Sequence, residues 1–366
     1  MNDEFDEYGE DEETEIIKIK KTKFFLRTII ISLSGIFAVL LAVFIFLATL
    51  GNWIKPPDIP SFDDTKGAFL IPEGNDADAF IGGGLSAPEG FTNEDRKELF
   101  YTFLIIGLDE GTNTDTIMIA SYDGVDKQAN IINIPRDSLV NVQRNLKKIN
   151  AAYPVGTLNG RGRDGGIAQL QREIKTVIGF VPDFYICVNL EAFIKIVDTL
   201  DGVDVNVPFH MRYDDPFQGL HINIPAGEQN LNGEQALKFA RYRFGNSSRD
   251  SITDYQRIEN QQAVIKAVLE KLISPANILK IPAFIEIFTE NIYSDLKTGN
   301  MLWFADELNK IRGTDALSTY TMPTTGTSGP PMYYEYLDEA RIVELVNKTV
   351  NPFNKDIQAK DLDIIR

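Results

Sequence analysis

A stretch of 27 residues without a charged side chain, from Thr28 to Ile54, constrains this chain more than any other feature of its sequence. A helix of about 20 apolar residues is enough to cross a lipid bilayer. A cleaved signal peptide would instead have an apolar region of about 7–15 residues and a small-residue cleavage site, which this stretch does not clearly offer. The sequence therefore predicts a single transmembrane helix over residues 28–54.

Charged residues on the two sides of this segment predict its orientation. Lys55 on the carboxyl-terminal side is outweighed by nearby aspartates, whereas basic residues crowd the amino-terminal side at Lys18, Lys20, Lys21, Lys23 and Arg27. Short basic flanks favour the cytoplasm. We therefore expect residues 1–27 to form a cytoplasmic acidic tail with a basic juxtamembrane flank, and the chain after residue 54 to be extracytoplasmic, held at the cell membrane.

The composition excludes several classes of protein. The formal net charge is −17, and nine of the negative charges lie between Asp3 and Glu15, which leaves −8 for the remainder. That remainder has no broad basic face for a nucleic-acid backbone, so we expect no nucleic-acid partner. Cys187 is the only cysteine, which excludes an intramolecular disulfide or a cysteine-rich zinc site. The two isolated histidines, His210 and His221, cannot form a histidine-rich metal cage.

The rest of the chain divides into a stalk, one domain and a tail. Residues 55–97 are rich in proline, glycine and aspartate, which indicates a flexible extracytoplasmic stalk. Residues 98–353 form the predicted domain, and residues 354–366 a C-terminal tail. Strand and helix patterns intermix without regular alternation, with strands at 100–107, 117–122, 129–134, 184–189, 203–207 and 317–322 and helices at 167–178, 190–200, 233–241, 254–273 and 338–348. The first three strands predict an antiparallel start, and Asn232 can cap the helix at 233–241. The predicted class is α/β (α+β mixed), with a central mixed sheet flanked by helices on both faces.

Two aspartates lie at the ends of the first two predicted strands. Asp109 follows the first strand, and Asp115 opens the next. A short loop between them can fold both carboxylates onto one cation. The alternative is a polar turn whose aspartates merely cap it, and the local pattern alone does not separate the two interpretations.

Basic residues on later segments supply groups that suit a phosphate ligand. Arg136 and Asp137 follow a buried strand, where ligands of sheets flanked by helices often bind. Arg241 and Arg243 leave the end of a helix. A guanidinium makes bidentate hydrogen bonds to phosphate, and a pyrophosphate offers enough oxygens for several of them. The sequence therefore indicates metal-assisted phosphate chemistry.

Two more segments complete the set of candidates. Lys148 opens the segment Lys148-Ile-Asn-Ala-Ala-Tyr153, which by itself also fits an ordinary turn into a helix. On the predicted helix 254–273, Asp254, Arg257 and Gln261 are spaced three and four residues apart and share one face. The alternative for Asp254 and Arg257 is a surface ion pair that contributes about 0–1 kcal/mol.

The order of these motifs resembles the LytR–CpsA–Psr family, whose members are membrane-anchored enzymes that attach glycopolymers to the bacterial cell wall. The resemblance runs from about residue 103 to 272, and more loosely to 353. Its most specific parts are Ile134-Pro-Arg-Asp137, Lys148-Ile-Asn-Ala-Ala-Tyr153, Leu231-Asn-Gly-Glu-Gln-Ala-Leu237 and Arg241-Tyr-Arg243.

The resemblance implies a function and a role for each candidate. The implied reaction moves a glycopolymer such as teichoic acid or capsule, with one phosphate, from a polyprenyl-pyrophosphate carrier to peptidoglycan. Asp109 and Asp115 would hold Mg²⁺, and an apolar slot between sheet and helices would hold the polyprenyl tail. The implied catalytic residues are Arg136, Asp137, Arg241 and Arg243, and the implied substrate-binding residues are Lys148, Arg257 and Gln261.

Two departures from the family pattern leave a second interpretation open. The family usually has an arginine just before the second aspartate, where this chain has Asn113 and Thr114. A second arginine commonly precedes the paired glutamines, where this chain has Asn260. Both departures remove positive charge near the expected phosphate. The alternative function is therefore a non-catalytic protein that binds polyprenyl-pyrophosphate-linked glycan or acts as a scaffold in cell-wall assembly.

Overall fold

The structure of the chain is a computed structural model. The structure describes residues 55–59, 87–108, 114–158, 160–215, 220–246, 250–272, 274–308, 310 and 316–365. The predicted cytoplasmic tail and transmembrane segment, residues 1–54, lie outside this part, as does Asp109. Within the described part of the chain, no helix combines the length and the apolar character that a membrane crossing needs.

The domain contains a six-stranded mixed sheet and several short two-stranded sheets. Its strands are β1 (Phe100–Leu108), β2 (Thr114–Asp123), β3 (Gln128–Asn133), β4 (Phe184–Val188), β5 (Val203–Val207), β6 (Met211–Asp215), β7 (Leu220–Ile224), β8 (Gly227–Leu231), β9 (Ile292–Ser294), β10 (Leu317–Thr321), β11 (Thr324–Thr327) and β12 (Glu335–Leu337). The large sheet has the order β10-β3-β2-β1-β4-β9. Strands β1, β2 and β3 are antiparallel neighbours, as predicted from the first three strand patterns. Strands β4 and β10 run parallel to β1 and β3, respectively.

Helices surround this sheet and build a second, smaller core. They are α1 (Ala152–Thr157), α2 (Gly162–Ile178), α3 (Leu190–Thr199), α4 (Gly233–Arg241), α5 (Asp254–Leu272), α6 (Ile281–Asn291), α7 (Thr298–Leu308) and α8 (Glu339–Thr349). The smaller core joins α3, α4 and α5 to the paired strands β5–β8 and β6–β7. Residues 281–308, which form α6, β9 and α7, carried no predicted element.

Alternating side chains of β1 point to the two faces of the large sheet, as the two-residue period of a strand requires. Leu104 and Ile106 are fully buried on one face, where they share a core with residues of α2 and α8. Tyr101 and Phe103 belong to a different cluster on the other face. There the ring of Phe304, from α7, lies with its centroid 5.2 Å from each of theirs. Helices therefore cover both faces of the mixed sheet, so the predicted architecture of the domain is confirmed.

Helix α2 begins five residues before the predicted start at residue 167. Its first turns contain Gly165 and Gly166, which the sequence pattern did not favour in a helix. These glycines allow α1 to approach closely: a Cβ on Gly156 would lie 2.2 Å from the carbonyl oxygen of Gly165. A Cβ on Gly166 would lie 2.9 Å from the ring of Tyr153. Packing between helices thus decides a boundary that local propensity did not.

Segments on both sides of the predicted domain pack against its core. Phe353, Ile357 and Leu362 are buried in the core of the first face, and the backbone N–H of Asp363 donates to Thr176 at 2.8 Å. On the amino-terminal side, Phe91 packs against the same core, and its ring centroid lies 5.0 Å from that of Phe353. The packed structure therefore includes residues that the sequence analysis assigned to the stalk and to the tail.

The amino-terminal cap of α4 offers a stability test. Asn232 accepts a hydrogen bond from the backbone N–H of Gln235 at 2.9 Å, and the Gln235 side chain accepts one from the Asn232 N–H at 3.1 Å. We expect Asn232→Ala to lower the free energy of unfolding by about 1 kcal/mol, because the backbone N–H of Gln235 loses its acceptor. Urea denaturation checks this expectation, with the exposed position Asn230→Ala as the comparison outside the cap. An unchanged midpoint in Asn232→Ala would contradict it.

Candidate active site

A large apolar cavity lies between the second face of the sheet and the helices α5, α6 and α7. Its volume is about 850 Å³. The sheet contributes Phe103, Ile105, Met118, Ala120 and Ile131, and the helices contribute Val264, Val268, Phe284, Phe288 and Phe304. This is the position where the sequence analysis expected an apolar slot.

One end of this cavity is strongly basic. Six of the predicted site residues line it: Asp115, Arg136, Arg241, Arg243, Arg257 and Gln261. They come from β2, from the loop after β3, from the end of α4 and from α5, so they are distant in sequence. With one carboxylate against four guanidinium groups, the formal charge of this set is +3, which suits a multiply charged anion. We call these six residues the basic end of the cavity.

Asp115 reaches the cavity through an irregularity in the β1–β2 pairing. Gly107 pairs with Thr116 and Leu108 pairs with Thr114, so Asp115 falls between two paired positions as the extra residue of a bulge. Such bulges redirect a side chain and are common beside active sites. A Cβ on Gly107 would lie 2.9 Å from the Thr116 Cβ, which explains why a glycine stands opposite the bulge.

Ion pairs order the loop that follows β3. Arg136 Nη1 donates to Asp115 Oδ1 at 2.8 Å, and Lys148 Nζ donates to Asp137 Oδ1 at 2.7 Å. Arg136 Nε lies 3.9 Å from Asp137 Oδ2. Asp137 and Lys148 thus stand directly behind Arg136, but neither is among the residues that line the cavity. The structure therefore places them as neighbours of the site.

The two arginines at the carboxyl-terminal end of α4 lie on either side of a buried tyrosine. Tyr242 is fully buried, and its hydroxyl donates to the carbonyl oxygen of Asp250 at 2.8 Å. Arg241 and Arg243 on either side are exposed at the cavity mouth. The backbone N–H of Ile252 donates to the Arg243 carbonyl at 2.9 Å, which holds the backbone at Arg243. Both side chains are therefore exposed, while the backbone between them is held in place.

Helix α5 presents Arg257 and Gln261 from the same face, as predicted. Both side chains line the cavity although the residues are only 6% and 9% exposed. Asn260 is also buried, and its Nδ2 donates weakly to the carbonyl oxygen of Phe239 at 3.5 Å, towards α4. Thr114, the other departure from the family pattern that the structure describes, donates to the carbonyl oxygen of Asn150 at 3.0 Å. Both positions therefore serve packing in this chain.

Sequence analysis missed the group that supports the Lys148 segment. Arg144 donates from Nε to the carbonyl oxygen of Leu146 and from Nη2 to that of Lys148, each at 2.6 Å. Its guanidinium also pairs with Glu173, a residue of α2 that is only 2% exposed. The only sequence signal was a basic residue four positions before Lys148, which gives no indication of a partner on a distant helix.

The far end of the cavity carries a second polar group that the sequence analysis missed. Tyr122 and Glu307 both line the cavity, and the Tyr122 hydroxyl donates to Glu307 Oε2 at 2.5 Å. Lys127 Nζ lies 2.5 Å from the same oxygen, and Lys310 Nζ lies 2.6 Å from Glu307 Oε1. Burial raises the pKa of this carboxyl, but the hydrogen bonds from Lys127, Lys310 and Tyr122 outweigh it and hold the pKa at about 2. Glu307 is therefore ionised at neutral pH.

A divalent cation at the basic end fits the donors only in part. Asp115 supplies a carboxylate on the cavity wall, while Asp109 lies outside the described residues. The described residues contain no group of three or more histidine, cysteine, aspartate or glutamate side chains that suits a metal ion. Mg²⁺ commonly uses one or two protein carboxylates and completes its shell with water and substrate phosphates. Asp115 is compatible with that mode of binding.

The chain is similar to two named transferases of Bacillus subtilis. Bacillus subtilis TagV, a polyisoprenyl-teichoic acid–peptidoglycan teichoic acid transferase, is 27% identical over 271 residues, which cover 70% of this chain and 65% of TagV, just under two thirds of its length. TagU of the same organism, which bears the same transferase name, is 26% identical over 70% of this chain and 78% of its own. The crystal structure of B. subtilis TagV matches with a TM-score of 0.56 and 25% identity, covering 73% of this chain and 98% of that one.

The family comparison covers the part of the chain that builds the cavity. The LytR_cpsA_psr family model matches residues 87–351, which include every described residue of the basic end and both walls of the cavity. The match spans well over half of the chain. The chain therefore belongs to the LytR_cpsA_psr family.

Proposed function

We propose that this protein is an extracytoplasmic, Mg²⁺-dependent phosphotransferase that moves a glycopolymer from a polyprenyl-pyrophosphate carrier to peptidoglycan. The observation that carries the proposal is one cavity with two chemically different parts. Four arginines gather at one end, and apolar side chains line the rest. A lipid with a pyrophosphate head has the same division between a multiply charged group and a long hydrocarbon tail. The transferase names of TagV and TagU support the same reaction.

The position of the basic end suits the head of such a lipid. Arg241 and Arg243 are exposed at the mouth, whereas Arg257 and Gln261 are buried beside the apolar walls. In our proposal the buried pair holds the phosphate nearest the tail, and the exposed pair holds the phosphate that bears the glycan. The glycan then extends into solvent, which explains why the cavity needs no pocket for a long polymer. Removal of water from the apolar part strengthens the charge interactions at its border.

The proposed reaction transfers one phosphoryl group. A hydroxyl oxygen of a peptidoglycan sugar attacks the phosphorus that carries the glycan, and a new oxygen–phosphorus bond forms. The bond from that phosphorus to the bridging oxygen breaks, and polyprenyl monophosphate leaves with the electron pair. The hydroxyl proton passes to a base. As this bond breaks, negative charge develops on the bridging oxygen, which leaves as part of the monophosphate. Arginines that face the transferring phosphoryl group stabilise this charge.

The ion pairs beside the cavity indicate which residues position Arg136. Asp115 pairs with Arg136, which directs that guanidinium across the basic end. Lys148 occupies one oxygen of Asp137, and Asp137 in turn lies beside the Nε of Arg136. We propose that Asp137 and Lys148 orient Arg136 and that they do not contact the donor directly. Their absence from the cavity lining supports this division of roles.

Metal dependence forms a separate part of the proposal. Asp115, with Asp109 from the adjoining loop, would hold Mg²⁺, which would neutralise charge on the phosphate oxygens. We expect EDTA to abolish transfer and Mg²⁺ to restore it, and we expect Asp115→Asn to raise the Mg²⁺ concentration for half-maximal activity at least tenfold. A Mg²⁺ titration of both proteins checks this, with Asp126→Asn, an exposed position on the β2–β3 turn, as the matched control. Full activity of the wild-type protein in EDTA would contradict metal dependence.

The membrane is part of the proposed arrangement. We propose that residues 28–54 anchor the chain and that the domain lies outside the cell membrane. The uncharged stretch and the basic residues before it support this topology. An alkaline phosphatase fusion after Asn93 is expected to be active in cells, and an inactive fusion would contradict this topology.

The transferase proposal has a direct test. The full-length chain in lipid nanodiscs is mixed with Mg²⁺, a short polyprenyl-pyrophosphate oligosaccharide and a peptidoglycan oligomer, and the products are identified by mass spectrometry. We expect a phosphodiester-linked glycan–peptidoglycan product and polyprenyl monophosphate in equal amounts. Absence of both, with an active relative such as TagV in parallel, would reject the transferase.

A binding or scaffold protein remains the second candidate because of two observations. Thr114 and Asn260 stand where the family commonly has arginines, and both are occupied with packing contacts instead. This candidate predicts that the donor lipid binds to the basic end without turnover. Tight binding without product in the transfer assay would favour it. Restoration of turnover by Asn260→Arg would then show that the missing charge is the cause.

A further inference from the structure

The cavity has a measurable length, because β2 runs along it. Asp115 lines the cavity near the start of this strand and Tyr122 lines it near the end. Seven residue steps of about 3.4 Å separate them, so the cavity extends about 24 Å along the sheet. Between these ends β2 contributes Thr116, Met118, Ala120 and Ser121 to the wall. A prenyl tail that enters from the basic end can therefore extend only this far along the sheet.

The far end of that distance is polar and charged. We use the name end cluster for Tyr122, Lys127 and Glu307. Glu307 is 4% exposed, and one of its oxygens receives both the Tyr122 hydroxyl and the Lys127 ammonium at 2.5 Å. A hydrocarbon chain cannot replace these partners, and separation of a buried carboxylate from them is strongly unfavourable. The end cluster therefore closes an otherwise apolar path.

We propose that the end cluster sets the number of isoprenoid units that the cavity takes up, and thus the chain-length preference for the lipid carrier. This inference rests on the proposed function, in which the cavity holds a prenyl tail. Each isoprenoid unit adds four carbon–carbon bonds of about 1.5 Å, so an extended unit advances about 5 Å. The 24 Å path therefore holds about five units. Further units of a longer tail cannot enter the path, because the end cluster closes it, and they lie outside the cavity.

The inference differs from the general need for an apolar slot. Any slot gains affinity for longer tails as long as new units enter it, because each buried methylene group contributes. When the slot has a charged end, the affinity for the lipid stops rising at the tail length that reaches the charged groups. Replacement of the charged end by apolar groups should let the affinity rise up to longer tails. A bulky group placed before the end should stop the rise at shorter tails.

The test compares affinities for prenyl monophosphates of two to eleven units. Each prenyl monophosphate is used to displace a fluorescent short prenyl phosphate from full-length protein in lipid nanodiscs. The ratio of the Kd of the variant to that of the wild type is taken at each length. Partition of the lipids into the bilayer is the same for both proteins and cancels in this ratio. The variant Lys127→Met with Glu307→Leu replaces the two charged side chains of the end cluster by apolar ones, and Ala120→Phe narrows the path about 17 Å from Asp115. Lys360→Ala, an exposed change away from the cavity, is the charge control.

The two variants have opposite expected results. For the double variant, we expect a Kd ratio near one up to five units and at least tenfold tighter binding than wild type for longer tails. For Ala120→Phe, we expect a ratio near one up to about three units and at least tenfold weaker binding beyond. The use of two variants covers the case in which one of them does not fold, which circular dichroism detects. The control is expected to give a ratio of one at every length.

The contrary results are distinct from failure of the proposed function. Ratios independent of length in folded variants would overturn the assignment of the end cluster while leaving the lipid site intact. If no prenyl phosphate of any length displaces the probe from wild-type protein, the lipid site itself is rejected, and this inference is rejected with it.

Discussion

Arg241→Ala is expected to reduce glycopolymer transfer by about 10³-fold or more, because an arginine that stabilises a transferring phosphoryl group contributes on that scale. Arg241 is exposed at the cavity mouth, so its removal leaves no buried partner without a hydrogen bond. The free energy of unfolding should therefore change by about 0.5 kcal/mol or less. The measurement is the initial rate of phosphodiester product formation, together with a urea denaturation curve.

Arg341→Ala is the matched control for this prediction. Arg341 is an exposed arginine of α8, which packs on the opposite face of the sheet from the cavity. Both variants lose one exposed guanidinium from a helix, but only one loses it beside the candidate site. Transfer at the wild-type rate in Arg241→Ala would remove this residue from the site, and an equal loss in both variants would indicate an effect of net charge alone.

The largest expected loss of stability is that of Asp183→Ala. Its Oδ2 accepts hydrogen bonds from Arg96 Nη2 at 2.9 Å and from the Thr102 N–H and hydroxyl at 2.8 Å each. The Asp183 side chain is fully buried, and that of Arg96 is 9% exposed. Loss of the carboxylate leaves a buried guanidinium without its ion-pair partner, which costs about 3–5 kcal/mol. For a domain of this size we expect Tm to fall by roughly 10 °C.

Thermal unfolding by circular dichroism measures this effect. Asp126→Ala, at an exposed position of the β2–β3 turn, is the control and is expected to lie within about 0.5 kcal/mol of wild type. Asp183→Asn keeps an acceptor for Thr102 but not the charge, so it should fall between the two. A Tm for Asp183→Ala equal to that of Asp126→Ala would show that the ion pair contributes no net stability.

Local periodicity was sufficient for most of the elements around the site. The strands of the antiparallel start, the cap at Asn232 and the end of α5 were all predicted within a few residues of their observed positions. Each of these depends on contacts between residues close in sequence. The spacing of Arg257 and Gln261 likewise placed them on one face of a helix, because that relation depends only on the helical period.

The helices that form the outer wall of the cavity were not predicted. Phe284, Ile285 and Phe288 have helical spacing in α6, and Met301 and Phe304 have it in α7. The intervening strand β9 has three residues and no strand pattern of its own. It forms because β4 offers a free edge, with Cys187 opposite Tyr293. That pairing is a property of the folded sheet and leaves no local signal.

The sequence by itself determined the kinds of groups available to this protein: an uncharged membrane-length segment, aspartates at strand ends and arginines in separate motifs. Their chemistry indicated a phosphate ligand, because guanidinium groups make bidentate hydrogen bonds to phosphate oxygens. Only the tertiary structure decided which groups share a surface. It placed Asp137 and Lys148 behind Arg136, and it closed the apolar cavity with Glu307, because long-range packing and not sequence spacing sets those distances.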